Sequence, residues 1–303
     1  MSLITISFAV YQNEGSLIFL HDEIVSELSR NFPHHDYELL FVNDGSKDGS
    51  LSELQELRRK NPKVRIISFS RNFGQMAAIL AAWENAKGDC VINMAADLQD
   101  PPSQVSLMIN EWLEGNEIVI SYRQSHKTNW RKKITSKLFY KLMLPNVPPG
   151  GFDFALIDRK PMEAINSLKE RNRFYQYDIL WAGFRIKYLP YDKVERKIGQ
   201  SQYNFLKRFG NFYSAFLNVS YLPLRLLTFV GVAISILGFL YAGTILYAYF
   251  MLDVPFQGWA PIMMTLLIVG GMLMLMLGVI GEYIWRILDE VKGRPYYIID
   301  EEV

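Results

Sequence analysis

Two long uncharged stretches constrain the fold of this chain more than any other feature. Neither Leu226 to Leu252 nor Val254 to Gly281 contains Asp, Glu, Lys or Arg. Each run exceeds the roughly 20 apolar residues that carry an α-helix across a bilayer, so the pair predicts two transmembrane helices. Between them lie Asp253, Pro255 and Gly258 with Trp259 as an interface anchor, which predicts a short hairpin connection. Basic residues flank the pair, Lys207, Arg208 and Arg225 before it and Arg286, Lys292 and Arg294 after it, and the loop has none. The positive-inside rule then puts both ends in the cytoplasm. A helical hairpin buried in a soluble core is the competing reading, and two such runs in succession argue against it.

The residues before the pair follow another pattern. Ile4–Val10, Tyr37–Val42, Val64–Phe69 and Cys90–Ile92 are strand-like runs. They alternate with helical spacing over Leu17–Leu28, at Leu51, Leu54 and Leu57, and over Gln75–Ala86. Such alternation predicts an α/β fold, a mostly parallel sheet with helices on both faces. A chain of 303 residues has room for that domain plus an appendage. The formal charge of +1 gives no global reason to expect nucleic-acid binding. The one cysteine, Cys90, excludes an internal disulfide and a cysteine-cluster metal site, and sits in an apolar run as a core residue. Met1–Thr5 lack the basic start and apolar segment of a secretory signal, so this part is expected to stay in the cytoplasm.

Polar clusters follow the strands at Tyr11–Glu14, Asn43–Ser46 and Asp97–Asp100. After parallel strands they should converge on one sheet edge, where open α/β sheets bind ligands. The stretch Met94–Pro102 reads as a strand end turning into a helix, with Asp100 as N-cap and Pro101 in the first turn. There Asp97 and Gln99 can hold a hard divalent cation, which would in turn hold diphosphate oxygens; taken alone, the same residues also suit a capped turn with solvated acids. The cluster Asn43–Ser50 suits a ribose or a base edge, but the chain has neither G-x-G-x-x-G nor a Walker lysine pattern.

Between Ile118 and Phe152 no acid occurs, while Arg123, Lys127, Arg131, Lys132, Lys133, Lys137 and Lys141 are basic and interleaved with Trp130, Leu138, Phe139 and Tyr140. This cationic amphipathic run suits a membrane surface with anionic head groups, against the plainer reading of a solvated face. Asp153, the first acid after Glu117, follows in a Pro- and Gly-rich loop where it can act as a general base. Phe205, Phe209, Phe212, Phe216 and Val219 have the spacing of an interfacial helix before the first span.

In this order the motifs resemble the membrane-bound family 2 glycosyltransferases that move a sugar from a nucleotide to a polyprenyl phosphate, the bactoprenol glucosyltransferase and dolichol-phosphate mannose synthase group. The resemblance rests on Tyr11–Glu14, Val42–Ser46, Arg71–Gln75, Asp97–Pro102, Gly151–Asp153, Gly199–Tyr203, Gly281–Tyr283 and Lys292–Pro295. It implies a GT-A fold over residues 1–201, an interfacial segment over 202–224, a transmembrane hairpin over 225–288 and a cytoplasmic tail over 289–303. It also implies inverting transfer, with Glu14 and Asp44 contacting base and ribose, and Asp97 and Gln99 holding Mg²⁺ or Mn²⁺. Asp153 falls at the family's base or orienting carboxylate. Arg123, Arg131 and Lys137 are carried over to the acceptor phosphate, and Ser201 to the donor. The sequence departs from the family's D-x-D-x-Q pattern at Ala95, which stands where the first aspartate is expected.

The resemblance places the chain in a bacterial inner membrane as a homo-oligomer, a tetramer in relatives. It implies a nucleotide sugar, UDP-glucose favoured, as donor and undecaprenyl phosphate as acceptor. Processive synthases carry Q-x-x-R-W; the nearest text here, Gln176–Trp181, lacks the arginine. The loss at Ala95 leaves a second reading, a scaffold subunit that binds nucleotide sugar or lipid with weak or no catalysis.

Overall fold

A computed structural model describes residues 1–123, 152, 154–170, 173–192, 222–251 and 258–303. Asp153, Arg131, Lys137, Ser201, the cationic run after Arg123 and the expected interfacial helix lie outside the described residues. The chain divides into two units, Met1–Asn211 with Pro295–Val303, and Phe212–Arg294.

The first unit alternates strands and helices as the sequence pattern predicts: β1 (Leu3–Val10), α1 (Leu17–Asn31), β2 (Asp36–Asn43), α2 (Ser50–Lys60), β3 (Val64–Phe69), α3 (Gln75–Asn85), β4 (Cys90–Ala95) and α4 (Pro102–Leu113). It continues through β5 (Ile118–Arg123), β6 (Phe154–Asp158), α5 (Arg159–Asn166), α6 (Tyr175–Trp181) and β7 (Ile186–Tyr191), and it ends with β8 (Ile299–Glu302). Among the described residues the sheet has the order β7-β5-β6-β4-β1-β2-β3-β8. Neighbours β3, β2, β1 and β4 are parallel, as are β5 and β7, whereas β6 and β8 run against their neighbours.

The central strands are β-branched and aromatic runs buried on both faces. Ile4, Ile6, Phe8 and Val10 pack with Leu17, Leu20 and Ile24 of α1 on one side, while Leu40, Val42 and Ile67 pack with Ala77, Ala78, Ala81 and Ala82 of α3 on the other. A parallel sheet needs both faces covered, because its crossover helices lie there. Cys90 is fully buried, and burial pushes its thiol well above the usual range, as befits a core residue.

Two expectations change. Asp100 is not the N-cap of α4: that position is Pro101, in an extended conformation, with Pro102 opening the helix. A residue before proline is driven out of the helical region, and here this applies in succession to Asp100 and Pro101. Asp100 is instead buried and accepts a hydrogen bond from the Tyr191 hydroxyl at 2.7 Å. The segment expected to be a tail over 289–303 contains a strand: β8 pairs antiparallel with β3, matching Ile67 to Glu302 and Ser68 to Glu301.

The second unit holds α7 (Leu222–Met251) and α8 (Trp259–Val291). Where they meet, a Cβ placed on Gly231 would lie 3.3 Å from Met276 Cε. Among the described residues one helical segment, Ile268–Val291, is long and apolar enough to cross a membrane, with a mean hydropathy of 1.8; the apolar stretch Leu227–Tyr241 is shorter. Leu273, Met274, Leu277, Ile280 and Ile284 of α8 are exposed.

Candidate active site

The carboxyl ends of β1, β2, β3 and β4 carry loops that are tied to one another, so the convergence predicted from strand order is present. The loop after β1 begins at Tyr11. Gln12 N donates to Ser46 Oγ at 3.1 Å and Asn13 N to Ser50 Oγ at 2.9 Å, joining it to the loop after β2. The Asn13 side chain reaches the other way, donating from Nδ2 to the carbonyl of Ala96 at 3.3 Å in the loop after β4. Glu14 accepts the Gly49 N–H at 2.9 Å. A side chain at Gly49 would put its Cβ 2.5 Å from Glu14 Oε1, so the Glu14 carboxylate would have to shift.

Asp44 closes the next link. Its carboxylate is buried and accepts N–H bonds from Phe73 at 2.7 Å and Gly74 at 3.0 Å, fixing the loop after β3. Gly45, at φ +64, approaches that loop so closely that a Cβ would stand 2.4 Å from the carbonyl carbon of Arg71. Burial raises the Asp44 pKa, opposed by the Phe73 and Gly74 amides and by the charge of Arg71. Asp44 therefore ties the loop after β2 to the loop after β3.

At the end of β4, Asp97 accepts the Gln99 N–H at 3.2 Å across Leu98, which sits at φ +57. Gln12 is the other non-glycine residue in left-handed backbone among the described residues, at φ +55. Each such residue costs roughly 1–2 kcal/mol and persists where surrounding structure holds it, commonly at functional sites. Both are at the carboxyl ends of strands in one sheet, and the turn at Leu98 closes the Asp97 carboxylate onto the Gln99 backbone.

Sheet register adds the remaining positions. Arg123 ends β5 beside Tyr191 of β7, whose hydroxyl holds Asp100, and it is exposed. Phe154 begins β6 opposite Ser121, and Ala155 lies opposite Asn93, so β6 enters the sheet where β4 and β5 end. Asp153 itself is outside the described residues, but the Phe152 carbonyl before it accepts hydrogen bonds from Tyr175 Oη at 2.9 Å and from Gln176 Nε2. Sequence reading missed Asn13, Tyr175, Gln176 and Tyr191 as organisers of this edge. Tyr191 ends a strand-like run and Asn13 lies in Tyr11–Glu14, but the bonds from Asn13 to Ala96, from Tyr191 to Asp100 and from Tyr175 and Gln176 to Phe152 join residues distant in sequence.

Residues 9–184 match the description "Glycosyl transferase family 2", and residues 222–287 match "GtrB C-terminal hairpin". The chain belongs to glycosyl transferase family 2. This family 2 chain is 36% identical over 303 residues to the putative glycosyltransferase CsbB of Bacillus subtilis, covering 99% of this chain and 92% of that one. It is 34% identical over 292 residues to the bactoprenol glucosyl transferase of Shigella phage SfII, covering 95% and 94%. The mannosyltransferase PcManGT of Pyrobaculum calidifontis, solved with GDP-Man and Mn²⁺, shares the fold at a TM-score of 0.51 and 16% identity, over 72% of this chain and 64% of that one. The chain is thus a glycosyltransferase with a GT-A-like α/β fold, and the family assignment favours catalysis over the scaffold reading.

The edge suits a divalent cation by its donor chemistry. Asp97 supplies carboxylate oxygens and Gln99 an amide oxygen, and hard cations such as Mg²⁺ take one or two carboxylates and complete their shell with water and substrate phosphate. Among the described residues no cluster of three His, Cys, Asp or Glu forms a self-sufficient metal site.

Proposed function

We propose that this glycosyltransferase transfers glucose from UDP-glucose to undecaprenyl phosphate at the cytoplasmic face of a bacterial inner membrane, with inversion at the anomeric carbon. The convergence of the loops after β1 to β4, with Asp97 and Gln99 in the last of them, carries the reading of a nucleotide-sugar site. Similarity to a bactoprenol glucosyl transferase supports the lipid acceptor and the sugar.

Connectivity supports the membrane arrangement. The chain leaves the sheet-bearing unit and returns to it in β8. A segment that departs from and rejoins one folded unit crosses a bilayer an even number of times. If Ile268–Val291 spans, α7 supplies the second crossing. At 1.5 Å per residue, its 30 residues reach about 45 Å, beyond the ~30 Å hydrocarbon core. Both ends of the hairpin then lie on one side, which the basic flanks Arg225, Arg286, Lys292 and Arg294 make the cytoplasmic side. Labelling of single cysteines placed at Gly258 and Asp300 tests this: only the first should react with an impermeant reagent added from outside.

In the reaction the acceptor phosphate oxygen attacks the anomeric carbon, the bond from that carbon to the β-phosphate oxygen breaks, and the nucleoside diphosphate leaves with the bonding electrons. A phosphate monoester is already anionic at pH 7, so positioning and charge compensation matter more than a strong base. A divalent cation held by Asp97 and Gln99 would supply electrostatic stabilisation of the departing diphosphate. Asp44 and Glu14 hold the nucleotide loops, Ser201 serves the donor, Asp153 orients the acceptor, and Arg123, Arg131 and Lys137 offset the acceptor phosphate charge.

A transfer assay tests this directly. Detergent-purified full chain, undecaprenyl phosphate and Mn²⁺ should convert labelled UDP-glucose to a lipid-phosphate β-glucoside in preference to UDP-N-acetylhexosamine, UDP-galactose and GDP-mannose. No transfer from any of these donors would refute the proposal, and transfer from another donor would replace glucose.

A further inference from the structure

The segment after α8 is fastened to the part of the sheet that supports the donor loops. Ser70 N donates to the carbonyl of Ile298 at 3.1 Å, immediately before the loop Arg71–Gly74. The Tyr297 ring stacks on Phe69 at 4.9 Å between centroids, and Phe69 in turn meets Phe73 edge-on at 5.7 Å. Phe73 and Gly74 give the amides that Asp44 holds, and the Arg71 guanidinium lies 4.1 Å from the Phe73 ring centroid. The Tyr297 hydroxyl donates to Glu84 of α3, the helix that begins just after Gly74. At the other end of the strand, Arg65 binds Glu302 at 2.8 Å and Glu38 at 2.5 Å.

We propose that Tyr297 is a positioning residue for the donor site: through Phe69 and Phe73 it holds the Arg71–Gly74 loop against Asp44, so that nucleotide-sugar affinity depends on the docking of the segment that follows α8. The proposal rests on the donor-site reading above and adds to it a residue more than 200 positions from the loop it serves. Tyr296 packs beside Tyr297 against the same apolar cluster, so the segment is held by two aromatic side chains as well as by strand pairing. Lys292–Arg294 then connect the last turn of α8 to this clasp, which gives the hairpin a covalent route to the donor loop.

The test compares Tyr297→Ala and Tyr297→Phe with the unmodified full chain. Tyr297→Phe retains the stacked ring and should behave as the parent. Tyr297→Ala should raise KM for the nucleotide sugar by roughly two- to tenfold, the range that loss of one aromatic pair gives, with kcat and acceptor KM unchanged. Hydrogen exchange at the Phe73 and Gly74 amides should quicken in Tyr297→Ala and not in Tyr297→Phe. An unchanged donor KM in a folded Tyr297→Ala, or a loss confined to kcat, would overturn the proposal. If the parent uses no nucleotide sugar the function proposed above fails, and the exchange measurement still decides the coupling: unaltered Phe73 and Gly74 exchange refutes it.

Discussion

The acids at the two ends of one sheet differ in their partners, the Arg65 guanidinium joining the backbone at one end and loop amides holding the other. At the amino-terminal end of the strands, Glu38 is buried and fully occupied: it accepts from Thr5 Oγ1 at 2.7 Å, from Lys87 N at 3.0 Å and from Arg65 at 2.5 Å. Gly88 N closes the group on Thr5 Oγ1 at 2.9 Å. At the carboxyl end the acids instead hold loop backbone: Asp44 grips Phe73 and Gly74, Glu14 grips Gly49, and Asp97 grips Gln99. Among the described residues the non-glycine positions in left-handed backbone, Gln12 and Leu98, both lie at this second end. An ion pair whose buried carboxylate also binds backbone fixes the fold. Acids that hold backbone fix the shape of the loops around them.

The contrast can be broken at several points, and the largest effect is expected at Asp97. Asp97→Ala should reduce transfer about a hundredfold or more in the glucosyl assay while membrane insertion and thermal unfolding stay as in the parent; full activity would remove the metal-diphosphate role. Glu38→Ala should do the reverse, lowering stability by about 3 kcal/mol in denaturant titration, because Arg65 loses a buried partner, with donor KM unchanged. Asp153→Asn should lower kcat by roughly tenfold with little change in donor KM, less than the ~100-fold or more of a true proton-transfer catalyst, because the acceptor is already ionised. The smallest expected effect is at Leu98. Leu98→Gly should relieve the left-handed strain but give up a buried core side chain, for a net loss of about 2 kcal/mol in unfolding free energy, and it should slow transfer only modestly by loosening the Asp97–Gln99 turn.

Much of this arrangement was legible before the fold was known. Val64–Phe69 is the observed β3, and Gln75–Ala86 differs from α3 by one residue, since local periodicity reports elements whose faces are buried by near neighbours. The convergence of the polar clusters followed from strand order alone. Other features were hidden for physical reasons. Ile299–Glu302 carries three consecutive acids, Asp300, Glu301 and Glu302, and no apolar alternation, because an exposed edge strand buries neither face and is held by pairing to β3 and by Arg65. Asp100 was misread because a short polar residue before a helix looks like a cap; the two prolines after it moved the cap to Pro101. That Asp44 holds Phe73 and Gly74 was likewise unreadable, since 29 and 30 residues separate the partners and no local pattern marks a backbone amide as recipient.

The strand that completes the sheet edge has a consequence for how the molecule is made. As the chain emerges from the ribosome, β3 and its neighbours are synthesised long before β8, and everything through α8 comes between them. Until then the backbone of β3 is an open edge, the kind of surface that pairs with foreign strands. Closing it waits on synthesis of α7, α8 and the residues after them. Chains cut short before Ile299 should therefore keep a sticky margin and aggregate through β3.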